Sequence, residues 1–317
     1  MSLTLQLLPK GKPIKNLPLD IAVPKEGVAS EIYHQIATKS RYPVYQLRIT
    51  KGSDGSVVPN DKNVSIAHTG LLEGSKVYVK DLGPQIGWRL CFVIEYLGPI
   101  LIHPLFYFAR PYIYSKPPQD PSWPISPADS EFPAPSTLQT LSCVMIVLHF
   151  LKREFETIFI HRFSNATMPL RNILKNWPHY WILSGVFMAY FTYSPYSPAA
   201  VERYPVLTTI GLGMFVVGEL LNLYTHVVLM NLRAPGTTER RIPQGFSFNW
   251  VTCPNYMWET LAWIGIAMIQ RNFATLVFVV VGVGQMWIWA KQKEGKYRRD
   301  FGDKYKKKRS VMLPGLL

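Results

Sequence analysis

The sequence predicts a multi-pass α-helical membrane protein, with about six transmembrane helices, preceded by a small soluble domain. Three observations predict this. The 317 residues are 48% hydrophobic, yet mean hydropathy is only +0.06, the average of a polar start and a very apolar remainder. Beyond residue 83, apolar segments recur near 88–109, 137–155, 178–194, 205–230, 254–270 and 272–290. Each is roughly long enough to cross about 30 Å of hydrocarbon with tilt or partial burial. Lysine and arginine crowd the alternate connections, the bias that orients membrane proteins. The expected domains are residues 1–83 and 84–317.

In the first domain, Leu3, Leu5 and Leu7 alternate with Thr4 and Gln6, as in a half-buried strand. Lys10–Pro13 reads as a turn, and Ile14–Val23 as a second strand. Val28, Ile32 and Ile36 give Val28–Ser40 helical spacing. Tyr45–Thr50 is a third strand, Ser53–Gly55 a turn, and Lys76–Lys80 the last strand. The order strand, strand, helix, strand, loop, strand resembles the ubiquitin-like β-grasp fold. Such a unit could dock a soluble partner or only cap and target the chain. Asn63-Val-Ser65 matches a glycosylation sequon, expected to stay unmodified on the cytosolic side.

In the second domain, the segments near 137–155 and 254–270 are marginal as spans on their own. The basic residues Lys152, Arg153, Arg162, Arg171 and Lys175 follow the second segment, and Arg233, Arg240 and Arg241 follow the fourth. A run from Lys291 to Arg309 follows the sixth. The even loops and both termini are therefore expected in the cytosol, and the Pro-rich stretch 117–135 on the far side. No leader with a long apolar core is expected at Met1–Pro9.

The formal net charge is +14, but its basic residues flank spans rather than forming a free patch, which argues against nucleic-acid binding. The tail could also touch anionic headgroups. Cys91, Cys143 and Cys253 lie far apart, with no disulfide framework or CxxC site. His149 and His161 lack metal-ligand spacing, and no zinc-type cluster is expected. There is no GxSxG. Gly211-Leu-Gly213 and Gly282-Val-Gly284 follow no strand, so close helix packing is their expected role.

Function is expected where ionisable residues enter apolar segments. Residues 240–259 begin with Arg240-Arg241 and end inside an apolar helix. Pro254 suits a first helical turn, and Thr252 could cap it. Asn255, Tyr256 and Glu259 then share one helical sector. The arginines suit phosphate, which suggests an anionic cofactor at a membrane surface with polar chemistry just below it. Glu95 sits mid-segment beside Tyr96, Gly98 and Pro99. Glu219, Asn222 and His226 form one stripe, and His149, Arg153 and Glu156 another. Each stripe could instead be a packing seam, and Arg153–Glu156 a surface pair at the membrane edge.

The C-terminal half resembles the steroid 5α-reductase family of integral-membrane, NADPH-dependent enone reductases. The residues that carry this are Asn222-Leu-Tyr-Thr-His226 with Leu232-Arg233, Arg241-Ile-Pro-Gln-Gly245, Asn255-Tyr-Met-Trp-Glu259, and Tyr305, Lys308-Arg309 and Leu313-Pro314 near the end. The N-terminal domain and Thr252-Cys-Pro-Asn-Tyr256 resemble the branch that reduces very-long-chain trans-2-enoyl-CoA, the last step of fatty-acid elongation in the endoplasmic reticulum, which also serves sphingolipid synthesis. That resemblance implies NADPH contacts at Arg153, Asn222, Arg233, Arg241, Asn255, Glu259 and Tyr297. It also implies contacts at His226 and Lys293, where steroid reductases carry an acid and a histidine. Glu95 falls on the catalytic carboxylate. Steroid reductases carry a tyrosine where this chain has Phe150, so another phenol must serve, and Tyr256 is the candidate. The reaction implied is hydride attack at C3 and protonation at C2. Tyr256 would give the proton, and Glu95 would orient or polarise the thioester oxygen. Expected partners are the enoyl-CoA, the lipid bilayer and other elongation-cycle enzymes. The alternatives are a steroid or polyprenol reductase of the same fold and a non-enzymatic membrane scaffold.

Overall fold

The computed structural model describes residues 2–115, 132–163, 166–232, 241–306 and 310–315, and of Lys175 only the backbone. Most of the Pro-rich stretch, together with Arg233, Arg240 and Lys307–Arg309, lies outside the described residues. The chain divides into two units: Met1–Trp88 with Asn165–Ile173, and Arg89–Ser164 with Leu174–Leu317.

In the first unit, β1 (Ser2–Pro9), β2 (Asp20–Pro24), helix α1 (Ala29–Ser40), β3 (Leu47–Lys51) and β4 (Lys76–Asp81) follow in chain order. They form a four-stranded sheet ordered β2-β1-β4-β3, in which β1 and β4 are parallel and the other pairs antiparallel. Leu3, Leu5, Leu7, Val77 and Val79 point inward with period two and meet Ile32 and Ile36 of α1. The second strand is shorter than the apolar pattern 14–23 suggests. Ile14 packs into the core from the loop, so burial, not pairing, explains its apolarity. A short antiparallel pair, β5 (Gln85–Gly87) with β6 (Thr167–Pro169), completes the unit.

The second unit is helical. Its elements are α2 (Trp88–Phe108), α3 (Arg110–Ile113), α4 (Thr137–Phe155), α5 (Ile173–Trp177), α6 (Met188–Tyr193), α7 (Pro205–Asn231), α8 (Pro254–Gln270) and α9 (Phe273–Phe301). A π-helical turn, Glu156–Ile160, extends α4, and π-helical Pro178–Phe187 precedes α6. Helix thus occupies all six expected apolar segments. Among the described residues, three helices are long and apolar enough to cross a membrane: Trp88–Phe108, Pro205–Asn231 and the stretch Phe273–Lys304.

Helices α7 and α8 pack most intimately, because glycines remove the side chains between them. A Cβ on Gly218 would stand 2.6 Å from the Ala262 backbone nitrogen, and one on Gly211 2.8 Å from the Gly265 carbonyl oxygen. Gly211 therefore has the close-packing role expected of it, whereas Gly213 and Gly284 face open space. Gly218→Val is expected to cost about 1–3 kcal/mol through overpacking, read as a lower thermal midpoint in detergent. An unchanged midpoint would show that the two helices separate freely. Elsewhere Gly98 lets the Trp181 indole lie against α2, where its Nε1 donates to the Ile94 carbonyl at 2.8 Å.

Candidate active site

Two polar stripes face each other. His149, Lys152, Arg153 and Glu156 lie at steps of three and four along α4 and its π turn, and Glu219, Asn222 and His226 do so along α7. His149 Nδ1 lies 2.6 Å from Glu219 Oε1. Lys152 donates to Asn222 Oδ1, and its Nζ lies 3.1 Å from Glu219 and 3.2 Å from Glu156. Arg153 Nη1 donates to Glu156 Oε2 at 2.5 Å, and His226 Nδ1 lies 3.0 Å from Glu156 Oε1. Glu156 is fully buried, so the pair with Arg153 is an interior one rather than a surface pair. Buried charges persist only when paired and hydrogen-bonded, and removing one partner is costly.

Helix α8 joins this cluster. Asn222 Nδ2 donates to the Asn255 carbonyl at 2.8 Å, which ties α7 to the first turn of α8 across the glycine seam. One turn on, Glu259 Oε1 lies 3.4 Å from His149 Nε2. His149 thus stands between two carboxylates. Of the expected cofactor residues, Arg153, Asn222, His226, Asn255 and Glu259 come together here. Arg241 is exposed in the loop before α8, and Arg233 lies outside the described residues. On α9, the Lys293 ammonium sits over the Tyr297 ring at 5.1 Å, beside Phe301 and Tyr305.

Thr252 does not cap α8. Its position is taken by Cys253, which offers no side-chain cap, and Thr252 Oγ1 donates instead to Glu294 Oε2. The Tyr305 hydroxyl donates to the same oxygen at 2.6 Å. Burial and the Glu294 carboxylate hold that phenol in its protonated form. The segment after it pairs alongside: Ser310 bridges to Val251, and Cys253 N donates to the Val311 carbonyl at 2.9 Å. The chain's end therefore fastens the residues that start α8. Glu294, at a position with no apolar-pattern signal, is a structural anchor that sequence reading missed.

Helix α2 supplies Glu95 and Tyr96, 0% and 3% exposed. Cys91 Sγ donates to Glu95 Oε1 at 3.0 Å, one turn back; Oε2 has no hydrogen-bond partner among the described residues. Tyr96 Oη accepts from Arg153 Nη2 at 3.1 Å. Tyr256, in the first turn of α8, packs beside Cys253, Ala290 and Met312, with its ring 6.4 Å from that of Trp289. Sequence reading had Glu219 in its stripe but did not single out Lys152 or Tyr96. The signal for Lys152 was present: it lies three residues from His149 and four from Glu156, opposite in charge to Glu219 on the facing helix.

Glu156, His161 and His226 offer ligand atoms within 4.8 Å of one another. The π turn creates this proximity, because His161 N donates to the Glu156 carbonyl at 2.7 Å and stacks residue i+5 over residue i. Arg153 and Lys152 already neutralise Glu156, so a further cation would meet repulsion there. The group reads as part of the ion-pair cluster.

Residues 166–317 match the model of the family described as 3-oxo-5-alpha-steroid 4-dehydrogenase. The chain is 38% identical over 317 residues, covering all of both chains, to a putative enoyl reductase of Schizosaccharomyces pombe. It is 39% identical over 294 residues to a very-long-chain enoyl-CoA reductase of Dictyostelium discoideum, covering 90% of this chain and 91% of the relative. It is 36% identical over 294 residues to a probable very-long-chain enoyl-CoA reductase of Caenorhabditis elegans, covering 89% and 90%.

Proposed function

We propose, since this chain belongs to the family of very-long-chain enoyl-CoA reductases, that α2, α4, α7 and α8 together form a site for NADPH-dependent reduction of trans-2-enoyl thioesters. The chain is an oxidoreductase of the CH–CH class that reduces enoyl-CoA in fatty-acid elongation, and apolar helices place it in a membrane. Very long acyl chains, NADPH, the endoplasmic reticulum, cytosolic termini and service to sphingolipid synthesis complete the proposal. The N-terminal unit is read as a ubiquitin-like β-grasp domain that meets other elongation-cycle enzymes.

The observation that carries this reading is the convergence of Arg153, Asn222, His226, Asn255 and Glu259 from three helices. The donor set fits a dinucleotide: cations suit phosphate, and amides and carboxylates suit the carboxamide and ribose hydroxyls. Arg153, Arg233 and Arg241 are the cations assigned to the cofactor phosphates. Lys293 and Tyr297 would extend the site along α9. When bound, NADPH supplies the hydride for C3. The chain's own residues then have two tasks. A donor must meet the thioester oxygen as negative charge develops on it, and an acid must protonate C2. Glu95 is assigned to the oxygen and Tyr256 to C2.

The test is consumption of reduced nicotinamide by the purified full-length protein, with trans-2-enoyl-CoA and a steroid enone in parallel, each with NADPH and with NADH. Enoyl-CoA turnover preferring NADPH is expected. Turnover of the steroid alone would favour the steroid reading, and no turnover of either substrate a membrane scaffold.

A further inference from the structure

We propose that the Tyr96 hydroxyl is a second donor to the substrate's thioester oxygen, held in place by Arg153. This rests on the enoyl-reductase reading of the site. A phenol has one proton to give and two lone pairs. Arg153 Nη2 occupies a lone pair of Tyr96 Oη at 3.1 Å. The phenolic proton is left without an acceptor among the described residues, in a side chain only 3% exposed.

Everything around the ring fixes its direction. Phe92 stacks on it at 5.8 Å, Tyr180 meets it edge-on at 5.2 Å, and Phe150 leans against it at 6.0 Å. The guanidinium of Arg153 also lies over the ring, 5.4 Å from its centroid. Arg153 is itself fixed by Glu156 at 2.5 Å. The result is an oriented O–H backed by a positive charge, one residue along α2 from Glu95. Such a donor costs no reorganisation as an oxyanion forms, which is how preorganised dipoles lower a barrier. A purely structural tyrosine in this position would gain from giving its proton to a nearby carbonyl, and Tyr96 does not do so.

The test compares binding of two probes to the full-length enzyme by calorimetry without cofactor: a saturated acyl-CoA thioester and the matching S-alkyl thioether, which lacks the carbonyl oxygen. The parent is expected to prefer the thioester by about tenfold, the upper end of what one neutral hydrogen bond contributes. Tyr96→Phe should lose most of that preference, and its kcat on enoyl-CoA should fall roughly a hundredfold, with NADPH affinity within about twofold of the parent. A Tyr96→Phe enzyme that keeps the parental probe preference overturns the proposal. Replacing Tyr96 with 4-aminophenylalanine keeps the ring and an N–H donor, so probe preference should return. Loss of preference in that variant overturns the proposal too, even should Tyr96→Phe fail to fold. Turnover of enoyl-CoA by the parent reports separately on the underlying function.

Discussion

Tyr256→Phe is expected to lower kcat by roughly two to four orders of magnitude, the usual size of a lost acid or oxyanion contribution, with little change in NADPH affinity. The ring keeps its place in either case: it packs beside Cys253, Ala290 and Met312 and near Trp289, contacts that phenylalanine reproduces. What the substitution removes is the hydroxyl alone, the group assigned to C2. The cofactor residues on either side are untouched, because Asn255 holds Asn222 through its backbone carbonyl and Glu259 faces His149. The measurement is kcat at saturating enoyl-CoA beside a separate NADPH binding titration. Aromatic residues also gather at membrane boundaries for packing alone, and that role would leave kcat near the parental value. Near-parental turnover would remove Tyr256 from the chemistry and leave Glu95 and Tyr96 as the donors from α2.

Glu95→Gln is expected to reduce kcat by roughly a hundredfold, and Glu95→Ala by more. The carboxyl group is fully buried and accepts the Cys91 thiol on Oε1. Glutamine preserves the side chain's length and an acceptor for Cys91. It can still donate from its amide to a thioester oxygen, but it cannot release an acidic proton. A group that orients or polarises should therefore be partly replaced by Gln and not by Ala. Equal loss in the two variants would contradict that role. It would move the proton to C2 from Tyr256 to Glu95. Measuring both variants against Tyr256→Phe on one substrate separates the tasks, since residues that act as a unit do not add.

Much of the site was legible one helix at a time. The steps of three and four at Glu219, Asn222 and His226, and at His149, Arg153 and Glu156, are fixed by helical geometry alone. Charged groups in apolar surroundings are costly enough to mark themselves. What a single helix cannot reveal is which stripe its residues face. Tyr96 illustrates the gap. In the sequence it is one aromatic among many in an apolar segment, and only the arrival of Arg153 at 3.1 Å distinguishes it. Thr252 shows the converse, a plausible cap by type that gives its hydroxyl to Glu294, 42 residues away.

By itself the sequence determined the N-terminal strand-and-helix unit, the placement of the helical segments and the positions at which polar groups enter them. These follow from periodicity and hydropathy, which are local properties of the chain. Only the tertiary structure decided the pairings: Lys152 with Glu219, His149 between Glu219 and Glu259, Arg153 with both Glu156 and Tyr96. Those pairings depend on how closely helices approach. Gly211 and Gly218 let α7 touch α8 at backbone distance, which brings Asn222 to Asn255. A buried charge takes whichever opposite charge the packing delivers, because leaving it unpaired in a low-dielectric interior costs more than any local preference can return.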